Sequence, residues 1–136
     1  MNVDSYLDQH KEAVGLVLDL ESKLLNPAEE AEAINGILTT LIGKLTFHIS
    51  MEDKFIYPKA LESANEDLKT MAGKMQSEMG TIGGVLDSYA KNWAAVAQIK
   101  ADPDTFVTET KKIISALKGR IAAEEKNFYP LVAEHA

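Results

Sequence analysis

The sequence predicts an all-α protein, an up-down-up-down bundle of four antiparallel helices built from two related halves. Three observations carry this expectation. Apolar residues recur at three- and four-residue steps, and no segment alternates in the manner of a strand. The connections between periodic stretches are short, which makes neighbouring helices antiparallel. The segment FHISMEDKFIYP at 47–58 also returns as GRIAAEEKNFYP at 119–130, with a constant offset: 120 minus 48 and 129 minus 57 both give 72.

The periodicity predicts helix one over about 3–25, helix two over about 27–61, helix three over about 65–98 and helix four over about 103–133. Asn26-Pro27 and Asp102-Pro103 each put a capping side chain ahead of a proline suited to the first helical position, and so open helices two and four. Tyr57-Pro58 and Tyr129-Pro130 are expected to kink or end those two helices, because proline lacks an N–H and crowds the carbonyl four residues back. Gly80, Gly83 and Gly84 weaken helix three and allow close packing or local opening there.

Bulk properties bound the function. A chain of 136 residues, 46% hydrophobic, is read as one domain, residues 1–136, with a real core. Its net charge of -7 and the absence of a Lys/Arg stripe argue against nucleic acid and anionic membrane as partners. With no cysteine, disulfides, iron–sulfur clusters and thiolate zinc sites are excluded. The opening MNVDSYLDQHKEAV lacks an apolar targeting region and no apolar run reaches about 18 residues, so a cytoplasmic location is expected.

The inward stripes follow at heptad-like steps. They are Val3, Leu7, His10, Val14 and Val17 on helix one, then Ile34, Leu38, Leu41, Leu45, His48, Glu52 and Phe55 on helix two. Helix three offers Leu68, Ala72, Met75, Met79, Ile82, Leu86, Tyr89 and Trp93. Helix four offers Phe106, Thr110, Ile113, Leu117, Arg120, Glu124, Phe128 and Leu131. Five ionisable residues interrupt this apolar pattern: His10, His48, Glu52, Arg120 and Glu124. In a core such groups must be paired, shifted in protonation or bound to metal. His48 and Glu52, four apart, share a helical face, as do Arg120 and Glu124. The repeat relates the two halves by a pseudo-twofold axis along the bundle, on which His10 is answered by Met79 and His48 by Arg120.

The pattern H…HxxxE…, with Tyr-Pro closing the HxxxE helices, resembles the hemerythrin-like HHE cation-binding domains over essentially the whole chain. That resemblance implies a four-helix bundle, usually with a non-haem di-iron centre in its core, and roles in oxygen binding, iron or oxygen sensing, or the handling of nitric oxide or damaged iron–sulfur clusters. By position it implies His10, His48, Glu52 and Glu124 as metal ligands. Two histidines of the family pattern are replaced, by Met79 on helix three and Arg120 on helix four.

The ligands that remain form an N2O2 set for one ion, with iron favoured over manganese or zinc. Arg120 cannot act as a ligand, because its guanidinium keeps its proton. It can instead occupy the place of a second cation, bridging Glu52 and Glu124. Met79 is a poor ligand for a hard cation and can pack against the site. Glu78 would join after a small helix rotation. Plainer readings stand beside these: His10 as a satisfied core histidine, Arg120–Glu124 as an ordinary i,i+4 pair, Met75 and Met79 as core filler, and Glu78, Glu125 and Asp53 as solvated or flanking groups. His135 is given no role.

Three functional classes follow. The first is a metal-binding sensor or regulatory domain for iron, oxygen or nitric oxide. The second is an oxygen- or nitric-oxide-handling protein with a single iron. The third is a metal-free bundle whose buried His/Glu/Arg network supports binding of another protein or a second copy. Reversible dioxygen carriage is disfavoured, since it uses two adjacent irons. An enzymatic role stays open, with the weight against it: phosphate loop, HExxH, nucleophile–base pair and the ExxH of iron-storage bundles are all absent.

Overall fold

A computed structural model describes all residues 1–136. The chain is helical throughout, with no strand. Helix α1 spans Asp4–Lys23 and α2 spans Ala31–Met51. The second helix then runs on without a break through a π turn, Glu52–Ile56, into a last α-helical turn, Tyr57–Leu61. Helix α3 spans Glu66–Asn92, a short α4 covers Val96–Ala101, and α5 spans Pro103–Ala123. Like α2, α5 continues through a π turn, Glu124–Phe128, into Tyr129–His135.

Four long helices pack as the antiparallel bundle that the periodicity predicts. The caps agree in part. Asp102 Oδ1 accepts from Thr105 N–H at 3.2 Å and starts α5 with Pro103 in the first turn. Asn65 Oδ1 does the same for Leu68 N–H at 2.9 Å and starts α3. Asn26-Pro27 does not cap α2: residues 27–30 form a turn, and the helix begins four residues later than expected, at Ala31. The third helix ends early, at Asn92, and the residues read as its last turns form α4 instead.

The Tyr-Pro pairs neither end nor break their helices. In each π turn the tyrosine N–H reaches the carbonyl five residues back, Tyr57 to Glu52 and Tyr129 to Glu124. The proline then falls in the first turn of the next α segment, where no N–H is required of it. The wide turn also alters which side chains face inward. Phe55, expected on the stripe, is 47% exposed, and Ile56 and Tyr57 are buried in its place. Val14 is likewise at the surface, with Tyr6 and Ala13 filling the inward positions of α1. Leu7, Ile82 and Leu131 are half-buried.

The repeat extends through the core. Ile34, Leu38, Leu41, Leu45, His48, Glu52, Ile56, Tyr57 and Ala60 are all buried, and so is every residue 72 positions later. Helices α1 and α3 match at 79 minus 10, or 69: Val3, Tyr6, His10, Val17, Leu20 and Leu24 answer to Ala72, Met75, Met79, Leu86, Tyr89 and Trp93. Apolar side chains form two separate clusters, one of 17 buried residues toward one end of the bundle and one of 11 toward the other. His10, His48, Glu52, Arg120 and Glu124 belong to neither cluster.

Candidate metal centre

This polar layer takes its side chains from three helices. His10 comes from the middle of α1, His48 from the last turn of α2, and Arg120 from the last turn of α5. Glu52 and Glu124 are the first residues of the two π turns. All five are buried, none more than 6% exposed.

On the first-half side, the Nε2 atoms of His10 and His48 lie 3.1 Å apart. Glu124 Oε1 is 3.3 Å from the former and 3.8 Å from the latter, and Glu52 Oε1 is 3.3 Å from His48 Nε2. The outward nitrogens are held by acceptors: His10 Nδ1 by Glu125 Oε2 at 3.1 Å, His48 Nδ1 by Gln9 Oε1 at 2.6 Å. A carboxylate and an amide oxygen can only accept, so both Nδ1 atoms carry protons. In the neutral rings both Nε2 atoms are then bare lone pairs turned toward each other. One positive charge satisfies them, either a proton on one ring or a metal ion.

On the second-half side, Arg120 donates from Nη1 to the Met75 carbonyl at 2.8 Å and from Nη2 to the Tyr57 hydroxyl at 2.6 Å. Its Nε lies 3.7 Å from Glu124 Oε1. Tyr57 and Tyr129, mates under the repeat, thus each serve the opposite half. Tyr129 donates to Glu52 Oε2 at 2.9 Å, with its oxygen 3.3 Å from both imidazole Nε2 atoms. Three buried polar atoms have no hydrogen-bond partner: Glu52 Oε1, Glu124 Oε2 and Arg120 Nε.

The two carboxyl groups titrate apart. Burial, and after it the neighbouring Glu124, pushes Glu52 up to about 10. Burial acts on Glu124 in the same sense, but the polar groups of His10, His48 and Glu52 beside it and the Arg120 charge outweigh it and hold Glu124 below the usual carboxylate range. At neutral pH the pair therefore carries one proton, on Glu52. Burial and the two carboxylates also push the Tyr129 phenol upward.

The hemerythrin HHE cation-binding domain matches residues 1–132. The chain belongs to the hemerythrin HHE family. No curated protein matches it, and no solved structure does either.

Within this hemerythrin-family bundle, His10, His48 and Glu124 each offer a ligand atom, all within 4.8 Å of one another. Opposed lone pairs and two carboxylate oxygens without partners are the donor set a cation needs, so the residues present fit a metal on the first-half side. Met79, 8% exposed, and Arg120 occupy the second-half positions, so that half lacks both histidines. Glu78 stands apart from the layer: its side chain is 52% exposed and pairs with Lys74. It lies one residue off the buried Met79, and the helix turns it to solvent.

Tyr57, Tyr129 and Gln9 were not marked as site residues by the sequence. Tyr57 and Tyr129 fall five residues after their glutamates, off the face of a regular helix, and only the π turns bring them in. Their signal was the proline that follows each at identical spacing, since an uninterrupted helix can house it only by widening. Gln9 is next to a site residue in the chain but turns outward, and periodicity alone does not mark such a position, whereas Glu125, expected as a solvated or flanking group, is the acceptor beside His10 Nδ1. No helix is long and apolar enough to cross a membrane.

Proposed function

We propose that this hemerythrin-family domain binds one metal ion, iron in preference to manganese or zinc, through His10, His48, Glu52 and Glu124, and that occupancy serves in sensing or regulating iron, oxygen or nitric oxide. The observation that carries this reading is the pair of inward Nε2 lone pairs 3.1 Å apart, with Glu124 Oε1 3.3 Å from one of them. Bound iron supplies a Lewis-acidic, one-electron redox centre. The chain's own residues do the rest. Gln9 and Glu125 fix the tautomers and aim both rings, an arrangement whose loss typically weakens metal binding by about 10- to 100-fold. Glu52 would release its proton to solvent on joining the ion, and Arg120 supplies the positive charge on the other side.

A second reading is favoured by Arg120, which is held in place by Tyr57 and Met75 with its Nε 3.7 Å from Glu124 Oε1, and so balances that carboxylate without any ion. A proton shared between His10 and His48 would do the same for the other half. The bundle would then be metal-free and act through a protein partner or a second copy. Elemental analysis of protein purified without chelator and then loaded with iron separates the two. About one ion per chain is expected from the ligand count. Two ions per chain overturn the single-site reading, and none after loading leaves the metal-free network.

A further inference from the structure

The Tyr129 oxygen and the two imidazole nitrogens make a nearly equilateral triangle, with edges of 3.3, 3.3 and 3.1 Å. Two ligands on one ion, with bonds of about 2.0–2.1 Å, are separated by about 2.9 Å at a right angle and about 3.4 Å at the tetrahedral angle. All three edges fall in that interval. The single phenolic proton is directed to Glu52 Oε2, 2.9 Å away, and the two Nδ1 protons point outward to Gln9 and Glu125. What the three atoms turn toward one another is therefore lone pairs. Without a cation or an added proton among them they repel, and a metal ion converts the repulsion into three bonds.

We propose that Tyr129 is itself a metal ligand, so that a phenolate joins the two imidazoles and the Glu52 and Glu124 carboxylates around the ion. The inference rests on the single-site reading above and deepens it. As the oxygen–metal bond forms, the phenolic proton is released to solvent. The internal repeat provides a built-in control: Tyr57, the equivalent residue, has its oxygen 2.6 Å from Arg120 Nη2.

The test adds ferric iron, as its citrate complex, to the full chain and reads two quantities, iron per chain and the visible absorption spectrum. Wild-type protein is expected to bind about one ferric ion and to develop the visible charge-transfer band of a ferric phenolate. Tyr129→Phe should lose that band and bind iron about tenfold more weakly or worse, by the usual cost of a lost metal-site group. Tyr57→Phe should keep the band, and circular dichroism checks the fold of both variants. Wild-type protein that binds its ion without the band overturns the proposal and leaves the single-site reading standing, a result that needs no variant. A band that survives Tyr129→Phe also overturns it. Failure to bind ferric iron at all removes the single-site reading and this inference together.

Discussion

A guanidinium cannot shed its charge in the core, so Arg120 commits the second half of the polar layer to a permanent cation. The counter-charge is Glu124, while Glu52 stays neutral, and this sets a pH dependence for the metal-stripped protein. The folded state keeps a proton on Glu52 up to about 10 that the unfolded chain releases near the ordinary value of 4.5. Its contribution to stability is fully present below the ordinary value and is lost as pH rises toward 10. Glu124 works the other way, contributing above the ordinary value and losing its contribution as pH falls. Of the two carboxyl groups, Glu52 is the one whose contribution varies across the neutral and mildly alkaline range. The unfolding free energy of metal-stripped protein, read from urea titrations, should therefore fall steadily between about pH 6 and about pH 9, by no more than about 1.4 kcal/mol per pH unit. Glu52→Gln, which mimics the neutral carboxyl, should flatten the profile. Restoring the family pattern is the complementary change. Arg120→His with Met79→His removes the fixed cation and returns both histidines to buried positions that answer His48 and His10. The double variant should bind about two iron ions where the parent binds about one, measured as iron per chain.

At the scale of the element, the π turns decide what the layer contains. A regular helix from Glu52 would direct Phe55 inward and carry Tyr57 away, and the sequence reading expects just that. His48, Glu52, Arg120 and Glu124 were legible because they lie before the wide turns or at their first residue, where the 3.6-residue period still holds. The caps divide the same way: Asp102 has a backbone N–H within reach, whereas Asn26 is followed by a turn over 27–30, and the helix begins only at Ala31. Local capping chemistry cannot tell these cases apart, because the length of the inter-helix turn is set by packing. A π turn is equivalent to an α turn with one residue added, which suggests a test. Deleting the exposed Lys126 puts Tyr129 four residues after Glu124, still on the inward face of an ordinary helix. Combined with Pro130→Ala, which relieves the proline ring of its new clash, the deletion should leave stability within about 2 kcal/mol of the parent. Deleting the exposed Ser115 from the regular part of α5 turns every later side chain by about 100° and should abolish cooperative unfolding. Urea denaturation followed by circular dichroism distinguishes the two.

Over the whole molecule, two apolar clusters enclose one polar layer, so the bundle has core enough to stay folded when the layer is only half neutralised. An ion that binds only the folded state adds to stability by mass action, about 2.7 kcal/mol at a hundredfold excess over its dissociation constant. Chelation of loaded protein should lower the melting temperature without unfolding the chain at ambient temperature, and His48→Ala should remove the sensitivity to chelator. The way the histidines are held also bears on how an ion reaches them. Gln9 is half-buried and the Glu125 side chain is 43% exposed, so each imidazole is anchored from the surface and the centre lies about one ring's depth below it. Exposed side chains change rotamer in picoseconds to nanoseconds, whereas helices separate only on far slower scales. Only a pair of side chains therefore stands between the centre and the medium, and an ion should be able to enter or be drawn off while the bundle stays folded.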